Sequence, residues 1–465
     1  MKLRLRKVKL FVGFILIGLS SHVNAIDFDA MQPGHWYEIP NTTLEDAFPN
    51  PAPPGVIGPK GVVRAWNGGA FDASRERMIL WGGGHNDYSG NEIYVFDINA
   101  AVPKWERLTE PSMNVGGDES SGVYPDGLPR SRHTYNYVEY IESIDEYCAF
   151  GASGTYPSSQ ISVSLMQCFN FQTHEWNSGV KQNVPTGNKR GFAIYDVAKG
   201  NVWYRPATQR GLYKYDAIED QWSQKLGSSQ NMKIYATPAI DTVRNQLVAV
   251  GNDQFLLWDL NNPGNATMPS RSGNATIEKT GAPGFQYDNK IDKFVGWQGG
   301  SDVYTLDPVT WNWVKESPAA SNSVTPPAAI PTGTYGRFRY IVSKNVYMLY
   351  NDYNQNVYFY KLSAGSGSNI PGLPMINFTA SAYQVSVGGS VTLNWLVASA
   401  DACDATGNWA GSKAVNGSEI VSSITTNSTF TLNCSNSKGN VSRTIAVSIE
   451  EGLPTTVTGL KVLKK

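Results

Sequence analysis

The stretch Arg77-Met-Ile-Leu-Trp-Gly-Gly-Gly84, followed by Asn91-Glu-Ile-Tyr-Val-Phe-Asp97 and Trp105-Glu-Arg-Leu108, decides the fold. Each run is short, rich in β-branched or aromatic residues, and bounded by Gly, Asn or Asp. That is the signature of strands joined by tight turns. The pattern then returns along the chain. Glu146-Tyr-Cys-Ala-Phe-Gly151 is followed by Leu165 to Asn170 and Trp176, and Asn201-Val-Trp-Tyr204 by Gly211 to Asp216 and Trp222. Further copies are Gln246 to Gly251 with Phe255 to Asp259, Lys293 to Trp297 with Asp302 to Asp307 and Trp313, and Asn345 to Tyr350 with Asn356 to Lys361. Each unit also opens with a short strand, as in Gly191-Phe-Ala-Ile-Tyr-Asp196.

A single four-stranded sheet cannot bury both of its faces, whereas sheets packed radially can, so the expected fold is all-β and a β-propeller. Six blades are counted between about residues 35 and 364, or seven if a degenerate blade lies in 260–280 or 317–332. The sixth unit lacks an outer Trp strand, and His35-Trp-Tyr-Glu-Ile39 is expected to supply it and close the ring. After Lys361, Ser363 to Asn369 reads as a flexible linker. Residues 374–450 alternate as short strands with a Trp and a Cys…Cys pair, which predicts a small Ig-like β-sandwich. The domain division is thus 26–364 for the propeller, 365–373 for the linker, 374–450 for the sandwich and 451–465 for a tail.

Composition agrees with this reading. Charged residues are 17%, aromatic residues 12%, and there are 45 Gly and 26 Pro among 465 residues, which argues against coiled coils and long helical bundles. The net charge of -1 gives no basic footprint for nucleic acid. Residues 1–25 carry Lys2, Arg4, Arg6, Lys7 and Lys9, an apolar run from Leu10 to Leu19, and Val23-Asn24-Ala25 before a cleavage point. This is a secretory signal pattern, too short for a membrane span. The mature chain is therefore expected to be secreted, extracellular or periplasmic, without a membrane span, and monomeric. Four cysteines suit an oxidising compartment. Cys148–Cys168 and Cys403–Cys434 is the simplest pairing, with free buried thiols as the alternative.

The stretch Trp81-Gly-Gly-Gly-His-Asn-Asp-Tyr-Ser-Gly-Asn-Glu-Ile-Tyr-Val-Phe-Asp97 and Pro129-Arg-Ser-Arg-His-Thr-Tyr135 resemble the kelch and galactose-oxidase-type propellers over roughly 330 residues. Residues 374–450 resemble the bacterial Ig-like modules attached to exported proteins. The first resemblance implies a fold more than an activity. In such a fold, the loops entering inner strands and those joining second and third strands meet on one face. His85 to Gly90 and Arg132-His133 belong there, with Arg64, Asn67, Arg190, Tyr235, Phe285, Tyr335 and Arg337. Arginines with aromatics suit an acidic polysaccharide, uronic-acid or sulfated.

Copper-oxidase chemistry fits poorly, because Arg132 stands where that family has tyrosine and all four cysteines have disulfide assignments. A second resemblance is to the propeller polysaccharide lyases, including those acting on ulvan. It implies β-elimination with His85 or His133 as base, Tyr135 or Tyr235 as acid, and Arg190 neutralising the carboxylate. Arg64, Asn67, Arg132, Tyr335 and Arg337 would then bind substrate. Asn67 departs from that pattern, where a second histidine is expected, as do six blades instead of seven. A non-catalytic glycan- or protein-binding propeller is the competing class. Each residue also has a plainer role: Arg132 and Arg190 on backbone carbonyls between blades, His85 capping its loop, His133 as a satisfied core histidine, His174 in an outer turn. No cofactor is required. A structural calcium or zinc ion is left open; for calcium, Asp87, Asp253 and Asp352 are candidates but lack EF-hand-like spacing.

Overall fold

The computed structural model describes residues 25–157, 162–177, 184–185, 191–206, 211–223, 226–227, 233, 235–362, 374–437 and 439–449. The leader, the linker, the C-terminal tail and Arg190 lie outside the described residues.

The structure is all-β, and the described residues form eight sheets. Six follow the repeats. The first is Gly69–Asp72, Arg77–Leu80, Tyr94–Asp97 and Trp105–Arg107, an antiparallel meander in chain order. The second runs Val138–Ile141, Glu146–Ser153, Ser162–Asn170 and Glu175–Trp176. The third runs Phe192–Asp196, Asn201–Arg205, Tyr213–Asp216 and Gln221–Trp222. The fourth has three strands, Thr237–Asp241, Gln246–Val250 and Phe255–Asp259. The fifth is Gly284–Asp288, Lys293–Trp297, Val303–Leu306 and Asn312–Glu316, with Ser272–Gly273 added in parallel at its outer edge. The sixth is Phe338–Ile341, Val346–Leu349 and Val357–Lys361, completed by His35–Ile39 from the other end of the chain.

The turns explain why the first strand of each unit stops where it does. Asp72, Asp196, Asp241 and Asp288 end four of these strands, and each carboxylate accepts from the backbone N–H groups two and three residues on. This side-chain cap diverts the chain from the ladder into a turn. First strands also pack side by side in sequence order, and Tyr335–Arg337, just before the sixth sheet, returns to contact Gly69–Asp72. The six sheets therefore close a ring. Its core is six wedges: each hydrophobic cluster draws on two neighbouring sheets, and the one between sixth and first holds Met348, Phe359, Met78 and Phe96. Segment 260–280 supplies one bridge (Leu257 to Thr267), the added Ser272–Gly273 strand and a short 3-10 turn, and 317–332 one bridge (Gly299 to Ala328). Among the described residues the ring has no seventh sheet.

Residues 375–449 form the other two sheets around one core that contains Trp395, Trp409 and the Cys403–Cys434 disulfide. Cys403 and Cys434 are direct partners on adjacent strands of one sheet, so the bridge staples a sheet rather than joining the two layers as in antibody domains. Cys148 and Cys168 are likewise cross-strand partners, in the second sheet of the ring. The module rests on the ring through a buried Arg443–Glu142 pair at 3.7 Å and a Tyr383 N–H that donates to Gln172 Oε1. Among the described residues, no helix is long and apolar enough to cross a membrane.

Candidate functional site

The loop between the second and third strands of the first sheet meets the entrance of the second sheet. Glycine makes the approach possible: a Cβ on Gly84 would lie 2.5 Å from the His133 backbone nitrogen. The His85 N–H donates to Gly154 O at 2.8 Å, and the His85 ring lies over Gly154, where a Cβ would collide with it. Asp87 is braced from below, because its carbonyl accepts from the N–H groups of Ile57 and Gly58.

These contacts gather three polar side chains around His133. Its Nε2 is 3.0 Å from Asp87 Oδ2, and its Nδ1 is 3.2 Å from the Tyr135 hydroxyl. The His85 ring stacks on His133 with centroids 4.0 Å apart and planes 14° apart. His133 and Tyr135 are buried, whereas His85 and Asp87 are half-buried and open to the face, so the pair lies beneath them. The Trp66 ring lies 5.2 Å from His133, and Tyr235 and Tyr335 lie 6.3 and 6.1 Å from Tyr135. Aromatic walls of this kind stack on sugar rings or on one another.

The backbone here is unusual. Trp66, His85, Tyr135, Tyr235 and Tyr335 all have positive φ, between 44° and 67°. Bulky residues rarely adopt that region, and such outliers concentrate at functional sites. Successive strand entrances are laced together: the Tyr135 N–H donates to Trp66 O, and the Ala282 N–H to Tyr235 O. The left-handed turn thus repeats around the ring and aims an aromatic side chain towards its axis at four of the entrances.

Four residues that the sequence places on this face do not reach it as expected, and their assignment is corrected. Arg132 is fully buried; its guanidinium donates to Gln167 Oε1 and Ala149 O, and burial pushes its pKa down to about 10. Arg337 is also fully buried and donates to the carbonyls of Val63, Asn67, Gly333 and Tyr350, with its pKa pushed down by burial to about 10. Asn67 is buried, donating to Gly61 O and accepting from the Thr134 N–H. Tyr335 contributes an edge against Tyr135 but is itself buried. These groups build the wall because the backbone at strand entrances needs partners. Arg64 does reach the surface, 46% exposed, but is held by Asp352 with Nη2 to Oδ2 at 2.5 Å, above the Tyr353 ring. Tyr235 is half-buried at the rim. Sequence reasoning missed Trp66, and it named Asp87 only for calcium; the place of Asp87 two residues after His85 in one tight loop is the signal that links it to the histidines.

No family model matches the sequence, and no curated protein matches it. Among solved structures, YjhT is similar at 12% identity and a TM-score of 0.39, covering 84% of this chain and 99% of that one. An auxiliary nutrient binding protein from Bacteroides ovatus is similar at 10% identity and a TM-score of 0.42, covering 70% of this chain and 76% of that one. Both likenesses are distant, and the site stands on its own geometry.

Proposed function

We propose that the ring is a six-bladed, kelch-like β-propeller of an exported protein, and that its His133 face binds an acidic polysaccharide and cleaves it by β-elimination. The observation that carries this reading is the His133 imidazole held between the Asp87 carboxylate and the Tyr135 phenol. β-Elimination at a uronate needs a proton taken from C5 and a proton given to the leaving oxygen. A phenol and an imidazole in hydrogen-bond contact are suited to move that proton. Tyr235 and Trp66 offer rim surfaces for sugar rings, and His85 is the more exposed imidazole. The two disulfides suit an oxidising compartment. The Ig-like module serves as spacer or attachment.

A binding-only module is the second reading. It is favoured by one observation: Arg132 and Arg337, expected to bind the acidic substrate, are consumed by the protein's own acceptors. Incubation with a panel of uronate polymers separates the two readings. Growth of absorbance from new C=C bonds supports the lyase. Binding without that absorbance leaves the module and removes the enzyme, and neither binding nor product removes the glycan reading.

A further inference from the structure

We propose that His85, Asp87 and His133 form a binding site for a late first-row divalent cation, with Zn2+ as its representative. One donor atom of each lies within 4.8 Å of the other two. The 3.0 Å between His133 Nε2 and Asp87 Oδ2 is near the roughly 3.4 Å edge of a tetrahedron with bonds of about 2.1 Å. Two imidazoles and one carboxylate suit zinc and its neighbours, whereas calcium asks for six or more oxygens. Three protein ligands also leave a position for an outside oxygen, the arrangement of catalytic rather than structural sites.

The surroundings fit the same role. The second ring nitrogen of His133 meets the Tyr135 hydroxyl, the kind of outer contact that fixes the tautomer and orientation of a ligating imidazole. Asp87 sits on a loop braced by Ile57 and Gly58, and His85 lies in a groove that only glycine at 154 leaves open. The near-parallel stack means the in-plane lone pairs of the two rings run side by side. The half-buried His85 ring therefore turns about its side-chain torsions to meet a shared ion. The proposal rests on the glycan reading only for what the ion would do: offer a uronate carboxylate the positive charge that Arg132 and Arg337 do not, and, with both His133 nitrogens then engaged, leave the proton transfer to the Tyr135 phenol rather than the imidazole. Binding of the ion stands apart from that reading.

The test uses the mature chain, stripped with chelator and titrated calorimetrically with Zn2+, then with Co2+ to follow visible absorption. One equivalent should bind, with a cobalt band of low coordination number. His85→Ala and Asp87→Asn should each weaken binding by about 100-fold or more, and Tyr135→Phe by about 10-fold, as loss of an outer contact does. Far-UV circular dichroism of the metal-free variants should match the parent, because His85 and Asp87 are partly exposed. Failure of the parent to take up an equivalent, or full affinity in both ligand variants, overturns the site. Zinc uptake without any bound polymer removes the glycan reading and leaves the metal site. Polymer cleavage by a stripped chain that takes up no zinc does the reverse.

Discussion

Two junctions of the ring occupy equivalent places and use their polar groups differently. Between the sixth and first sheets, Arg337 and Asn67 direct their side-chain donors at backbone carbonyls. Between the first and second, Asp87 and Tyr135 each bond to His133 and His85 stacks beside it. Arginine has only donors, so a buried one can satisfy several carbonyls of a strand entrance at once. Histidine and tyrosine can accept as well as donate and aspartate accepts, so this set can bond within itself, with the half-buried His85 and Asp87 on its solvent side. One junction is a rivet and the other a site.

Substitutions can break that contrast. The largest stability effect is expected for Arg337→Met, which leaves the carbonyls of Val63, Asn67, Gly333 and Tyr350 without their donor. A loss of about 3 kcal/mol or more in urea unfolding is expected, from several buried acceptors at once. A loss below about 1 kcal/mol would erase the rivet. His133→Ala should instead cut turnover on a uronate polymer by roughly 100-fold, with a melting temperature within a few degrees of the parent. Collapse of the fold in that variant would make His133 a core residue like Arg337.

Gly154→Ala should sharpen the contrast from the backbone side. Its φ is +81° and an added Cβ would meet the His85 ring. About 1–2 kcal/mol of stability should be lost to the unfavourable φ and the crowding, and ligand binding should weaken as His85 is displaced. Unchanged binding would show that His85 is not part of the site. The smallest effect is expected for Arg64→Ala: Arg64 itself is 46% exposed, and the buried Asp352 keeps the Tyr353 N–H as a donor, so a loss of about 1 kcal/mol is expected. A larger loss on thermal unfolding would move this pair to the rivet class.

The fold was legible because its signal is repeated. Strand-ending Asp and Asn residues, outer-strand tryptophans and the His35–Ile39 strand each specify local geometry, and the ring follows from stacking them. The site was legible in part, for a physical reason. Strand topology alone brings His85, His133, Tyr135 and Tyr235 to one face, and the structure does so. It cannot say whether an arginine at a strand entrance turns outward to a carboxylate or inward to carbonyls, since both offer the same acceptor chemistry; Arg132 and Arg337 turned inward. Positive φ at Trp66 and Tyr135 was hidden as well, because a bulky aromatic residue rather than the neighbouring asparagine or glycine occupies the left-handed position. The Cys403–Cys434 pairing was legible, but its place within one sheet depends on strand order.

The central claim is that the His133–Tyr135 pair handles a proton on a bound uronate polymer. Tyr135→Phe removes one oxygen and keeps the ring, so binding and turnover of that variant test the claim most directly. The account predicts polymer affinity within about 3-fold of the parent and turnover reduced by about 100-fold. Turnover equal to the parent's, measured as new C=C absorbance under saturating polymer, would contradict it.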